Sequence, residues 1–97
     1  MSKRDAYIQK LHAKIDEWNA DIDKLAVKAQ QAETHARNEY QQQIDALKRQ
    51  RREVETKLAD LKRSGEDAWE DLKSGLDLAF ESMNEAIGSA MSRFMRH

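Results

Sequence analysis

A heptad spacing of apolar residues in the first third of the chain constrains its fold more than any other feature. Successive apolar residues alternate three and four positions apart, which keeps them on one face of a coiled-coil helix. They are Ile8, Leu11, Ile15, Trp18, Ile22, Leu25, Ala29, Ala32 and Ala36. No glycine or proline interrupts residues 2–63, so the pattern predicts one long helix over about 2–63.

The apolar row continues beyond Ala36 with one irregularity. Two steps of four residues unwind the supercoil locally, and the heptad then returns with Arg51 in one row position. The further apolar members are Tyr40, Ile44, Leu47, Val54, Leu58 and Leu61. Ser2 with Asp5, and Ser64 with Asp67 beside Gly65, resemble helix-capping pairs. The sequence thus predicts an all-α fold of one domain (1–97), in which a second helix (about 66–95) turns back as an antiparallel helical hairpin.

The second predicted helix carries three blocks of eleven residues. Eleven residues over three turns give a nearly straight apolar stripe. The stripe consists of Trp69, Leu72, Leu76, Phe80, Met83, Ile87, Met91 and Phe94. One interpretation is a core face packed on other helices. The other is a face that binds a lipid surface or a partner reversibly, since such amphipathic repeats also lie flat on apolar surfaces.

A hairpin of this kind leaves half of the long helix uncovered. Its second arm reaches only residues 34–63, so the row from Ile8 to Leu25 would face water. Burying each large apolar side chain is worth about 1.5–3 kcal/mol, which favours a partner chain. Ala29, Ala32 and Ala36 lie at the middle of the long helix, where two antiparallel copies would cross closely. The sequence predicts an antiparallel homodimer, a coiled-coil rod whose interface is the nine-residue row from Ile8 to Ala36.

Composition narrows the functional class. The chain has no cysteine, and its 17 Lys and Arg nearly balance its 18 Asp and Glu. This balance gives no bulk attraction to nucleic acid or to an anionic membrane. There is no apolar run long enough for a membrane span or a signal peptide. We therefore expect a cytoplasmic protein.

The basic cluster Lys48, Arg49, Arg51 and Arg52 is the one feature that suggests nucleic acid. The predicted packing sets acidic residues beside the cluster, whereas nucleic-acid binders usually present an unopposed basic face. The aromatic residues that single-strand binding needs are absent beside it. We predict no nucleic-acid partner.

Catalytic and metal-binding patterns are not found. The histidine pairs His12–Asp16 and His35–Glu39 are isolated and supply too few ligands for a metal. No nucleophile with a base and no Gly-rich phosphate loop occurs. The sequence predicts a non-enzymatic protein with no catalytic, cofactor or metal residues.

Two segments resemble a family of short bacterial coiled-coil proteins that are generally described as stress-response proteins. The segments are residues 17–23 (EWNADID) and 65–73 (GEDAWEDLK), together with the ending Ser92-Arg93-Phe94. The resemblance covers essentially the whole chain. It implies a cytoplasmic, non-enzymatic helical protein linked to stress, and it carries no catalytic or ligand residues.

The sequence therefore predicts a structural or interaction protein that pairs with itself and with an unidentified protein partner. The alternative is a peripheral lipid-surface protein that uses helix 66–95. Asp77, Glu81 and Glu85 line the polar side of that helix, where a surface-seeking helix normally carries Lys and Arg. If the helix leaves the core at all, we expect its apolar stripe to bind the apolar groove of a protein rather than an anionic membrane.

Overall fold

The chain folds into a bundle of three helices. A computed structural model describes residues 2–94. The helices are α1 (Lys3–Gln31), α2 (Thr34–Arg63) and α3 (Trp69–Phe94). Each helix runs antiparallel to the one before it, so α1 and α3 are parallel to each other. Both pack against α2, and they also contact each other. The prediction of an all-α fold is confirmed, and the Cα atoms extend 51 Å along the bundle.

The predicted long helix over about 2–63 is wrong, and with it the two-helix hairpin. The chain leaves the helix at Ala32 and Glu33 and re-enters it at Thr34. Both connecting residues are extended, with φ −84° and ψ 159° at Ala32 and φ −66° and ψ 160° at Glu33. The first helix therefore folds back on α2 of its own chain.

Packing explains the break, because the local sequence does not. No glycine or proline stands at the turn, and alanine and glutamate are good helix formers. A break costs the hydrogen bonds of about one turn, each worth about 0.5–1.5 kcal/mol net. It buries the large apolar side chains of α1, each worth about 1.5–3 kcal/mol. Tertiary burial outweighs local helix propensity here.

The two capping pairs have different outcomes. Ser2 is the N-cap of α1, where its hydroxyl accepts the Asp5 N–H at 3.1 Å. Ser64 instead ends α2: its hydroxyl and its N–H both donate to the Leu61 carbonyl, at 2.6 and 3.1 Å. The α3 helix begins at Trp69 rather than near residue 66. The predicted end near residue 95 lies outside the described residues.

The core contains only apolar side chains among residues 2–94. It runs the length of the bundle and draws on all three helices. Its buried members are Leu11, Ile15, Trp18, Ile22, Leu25, Ala29, Ile44, Leu47, Val54, Leu58, Leu61, Leu76, Met83, Ile87 and Ala90.

Candidate functional site

The apolar stripe of α3 is unevenly covered. Leu76, Met83 and Ile87 are buried, whereas Trp69, Phe80, Met91 and Phe94 pack against the core and remain partly exposed. Leu72 is 39% exposed. The stripe is thus part of the core in its middle, and its most exposed member, Leu72, lies near the start of α3.

Seven of the nine residues predicted to form a dimer interface lie in the core of the bundle or pack against it. Six of them, from Leu11 to Ala29, are buried within the single chain, and Ile8 packs against the same core. Ala32 lies in the turn and Ala36 in the first turn of α2, and both are half-buried. The expectation that this row faces water in one chain is wrong, because the chain's own α2 and α3 cover it.

An indole from α1 holds the middle of α3. The Nε1–H of Trp18 donates to Oδ1 of Asn84 at 2.9 Å. The Trp18 ring also meets the Phe80 ring, with centroids 5.1 Å apart and planes tilted by 47°. Trp18 therefore joins α1 to α3 through both its apolar body and its polar tip.

A second aromatic residue of α1 holds the start of α3. The Tyr7 hydroxyl donates to Oδ1 of Asp77, and Lys73 Nζ lies 3.2 Å from the other carboxylate oxygen and 5.1 Å from the Tyr7 ring centre. Burial of the phenol, and then its hydrogen bond and charge repulsion with Asp77, raise the pKa of Tyr7 well above its usual range. The phenol is therefore held neutral, as a donor to the carboxylate.

A tyrosine of α2 holds the other end of α3. The Tyr40 hydroxyl donates to the Phe94 carbonyl at 3.2 Å, and the two rings lie 4.3 Å apart. Tyr7, Trp18 and Tyr40 thus grip α3 at three levels, each with an apolar ring and a polar tip. We call these three residues the aromatic clasps.

Sequence reasoning missed the clasps. The pattern places Trp18 and Tyr40 in the apolar row and leaves Tyr7 one position outside it. The spacing of apolar residues does not show that the hydroxyl and indole N–H groups of these side chains form hydrogen bonds with α3. The available signal was the residue type, because Tyr and Trp usually find a hydrogen-bond partner when buried.

Two glycines inside α3 have open space where a side chain would stand. A methyl group built at Gly75 or Gly88 has nothing within 4 Å. Neither glycine has a positive φ. Packing and backbone conformation therefore give no reason for glycine at either position, and each lowers the helix propensity of α3 by up to about 1 kcal/mol relative to alanine.

A shallow recess lies on the outer side of α3, toward α2. It is lined by Gln50, Glu53 and Lys57 of α2 and by Gly75, Leu78, Ala79 and Ser82 of α3. Leu78 is 69% exposed, and the buried Gln50 Oε1 has no hydrogen-bond partner. Sequence reasoning did not single out Leu78, because it lies off the eleven-residue stripe.

The basic cluster is partly occupied within the chain. Arg51 donates to Asn19 Oδ1 at 2.7 Å and pairs with Glu55 at 3.3 Å. Arg49 and Arg52 line an open surface of α2 that also contains Glu53 and Asp60. This surface therefore carries both charge signs.

Within residues 2–94, none of the helices has the length and apolarity to cross a membrane. The same stretch contains no group of three or more acidic or histidine side chains placed to hold a metal ion. Comparisons with protein-family models, with curated proteins and with solved structures each found no match to this chain.

Proposed function

We propose that this chain is a non-enzymatic interaction protein whose α3 leaves the bundle to bind the apolar groove of a protein partner. The resemblance of residues 17–23 and 65–73 to bacterial stress-response proteins supplies the setting, a cytoplasmic role in a stress response. Release exposes an apolar helix face that the resting bundle covers, and binding buries that face in the partner's groove, as amphipathic helices do in helix-in-groove complexes.

The observation that carries the proposal is the pair of glycines, Gly75 and Gly88. Both weaken α3, and no packing contact needs them. A permanent core helix would be more stable with alanine at both positions. Glycine at both is consistent with a helix held near the low-stability end of the fold, from which moving elements are drawn.

Two features of α3 favour its release from the hydrogen bonds of the three aromatic clasps. Its first turn leaves Leu72 39% exposed and Trp69 partly exposed, so the helix can begin to separate at this end. Met83 and Met91 lie on the stripe, and methionine adapts to irregular apolar surfaces. A released stripe could therefore pack into a groove that it does not match perfectly.

Charge favours a protein groove over a membrane. Asp77, Glu81 and Glu85 accompany the stripe on α3. Anionic lipids repel acidic side chains near the surface and attract Lys and Arg. The lipid-surface alternative is therefore disfavoured for anionic membranes.

Hydrogen exchange tests the premise of release. Residues 76–94 should exchange faster than residues 40–61 in the free protein. The double variant Gly75→Ala/Gly88→Ala should slow exchange in α3 selectively. The matched control is Thr56→Ala, which raises helix propensity at an exposed position of α2. Equal protection of both segments would mean that α3 is a permanent core helix.

Photocrosslinking in cells tests the partner. p-Benzoylphenylalanine in place of Phe80 should crosslink a protein, and the double glycine variant should reduce the yield. The same group in place of Asn38, an exposed residue of α2, is the control, with little crosslinking in either background. The proposal fails if the crosslinking yield at position 80 is the same with and without the glycine substitutions. Cosedimentation with phosphatidylcholine–phosphatidylglycerol vesicles, weakened by those substitutions, would favour the lipid-surface alternative.

A further inference from the structure

The connection between α1 and α2 differs from a continuous helix by two dihedral angles. The φ values of Ala32 (−84°) and Glu33 (−66°) already lie in or near the helical range. Only their ψ values, 159° and 160°, depart from the helical value of about −42°. Rotating these two bonds would join α1 and α2 into one helix over residues 3–63.

The sequence at the connection supports a continuous helix. The heptad row passes through the turn without a change of step, with Ala29, Ala32 and Ala36 in consecutive row positions. Glu33, the N-cap residue of α2, makes no side-chain capping hydrogen bond. The side chain that holds the turn is Arg37, which donates to the Ala29 and Ala32 carbonyls at 3.3 and 3.1 Å. A straight helix would pair the other backbone groups that the two helix ends leave free.

The residue pairs that join α1 to α2 within one chain would also fit between two antiparallel chains. Arg37 donates to the Ala29 carbonyl at 3.3 Å, and Arg51 donates to Asn19 at 2.7 Å. The residue numbers in these two pairs average 33 and 35. If two straight helices kept the same pairing between chains, their two-fold axis would fall at residues 33–35. Ala32 and Ala36 flank this point, where small side chains allow close approach.

From this relationship we propose that the protein exchanges α1 between two copies. In the resulting antiparallel dimer each chain has a single helix over residues 3–63, and its α1 half packs on the α2 and α3 of the other chain. The α1–α2 and α1–α3 contacts of the closed bundle are made again, now between chains, and the α2–α3 contacts stay within each chain. The closed bundle prevails in dilute solution because association costs translational freedom. This inference is independent of α3 release.

Size and shape give the first test. Protein unfolded and refolded at millimolar concentration should yield a dimer by light scattering, whereas refolding at micromolar concentration should yield the monomer. Small-angle scattering should show a particle of about 90 Å, the length of a 61-residue helix. The closed bundle extends 51 Å. A chain that stays monomeric after refolding at millimolar concentration would overturn the proposal.

Spin labels separate exchange from side-by-side association. Gln9→Cys and Lys62→Cys place labels at exposed positions of α1 and α2. In the closed bundle these positions lie on adjacent antiparallel helices, within about 20 Å. In the exchanged dimer, diluted with unlabelled protein, the intrachain distance becomes about 80 Å. A dimer that keeps the short distance would count against exchange.

A proline at position 33 should hold the chain in the closed bundle and prevent exchange. Glu33→Pro suits the closed bundle, because the φ of Glu33 is −66° and Ala32 already has the extended geometry preferred before proline. In the exchanged dimer the same proline falls inside a helix of each chain, which lowers the association constant by roughly 10⁴-fold. Glu33→Ala removes the same side chain but permits the helix, so it should dimerise like the wild type. Equal dimerisation of the two variants would refute the exchange.

Discussion

The indole of Trp18 reaches across 66 residues of sequence to donate a hydrogen bond to Asn84 at 2.9 Å. Trp18 is only 2% exposed, so water cannot easily replace that partner. The contact fixes the level of α3 against α1 at the middle of the bundle. Asn84 is therefore a polar residue whose role is to satisfy a donor in an otherwise apolar core.

Asn84→Ala should lower the free energy of unfolding by about 1–3 kcal/mol, the cost of leaving a buried donor without a partner. Urea unfolding followed by Trp fluorescence measures the change. Asn38→Ala, at an exposed position of α2, should be neutral or slightly stabilising because alanine is the better helix former. Equal effects of the two substitutions would show that the hydrogen bond contributes nothing.

The Tyr7–Asp77 contact predicts a loss of stability in alkali. The folded protein raises the pKa of the Tyr7 phenol, so the unfolded chain releases that proton first, near pH 10. The contribution is present below that pH and is lost as the pH rises toward the folded pKa. Wild type should exceed Tyr7→Phe in stability at pH 7, and the gap should narrow above pH 10. A gap that stays constant from pH 7 to pH 11 would contradict the assignment.

Two leucines two residues apart on α3 should behave oppositely. Leu76 has no exposed surface and Leu78 is 69% exposed. Leu76→Ala should cost about 2–5 kcal/mol, because it removes buried contacts and leaves a cavity. Leu78→Ala should change stability by less than about 0.5 kcal/mol. Thermal unfolding measures both, and a large cost at Leu78 would mean that another molecule covers its recess in solution.

Periodicity identified which side of each helix is apolar, because the three–four spacing depends only on helix geometry. The residues of the row from Leu11 to Leu25 are those that the structure buries. The pattern could not show which helix covers them. The apolar row is the same whether a second chain covers it or the chain reverses direction at Ala32–Glu33 and covers it with its own α2 and α3.

The turn itself was beyond prediction from local signals. Ala32 and Glu33 carry none of the residue types that usually end a helix. The break exists because α1 gains a partner surface, which is a property of the whole chain. Ser64 differs from its predicted role for a related reason: a serine hydroxyl can accept from the helix that follows or donate to the helix that precedes, and here it donates to the Leu61 carbonyl of α2.

The order of the helices in space has a kinetic consequence. The central helix α2 lies between α1 and α3 in the sequence and packs extensively on both, whereas α1 and α3 touch less. Loop closure over the two-residue connection at Ala32–Glu33 costs little entropy, so the α1–α2 hairpin can form before α3 docks. Helical folds built from such local pairings usually fold in microseconds to milliseconds. The bundle should therefore refold quickly, and the time needed to open it would limit any process that requires a helix to leave.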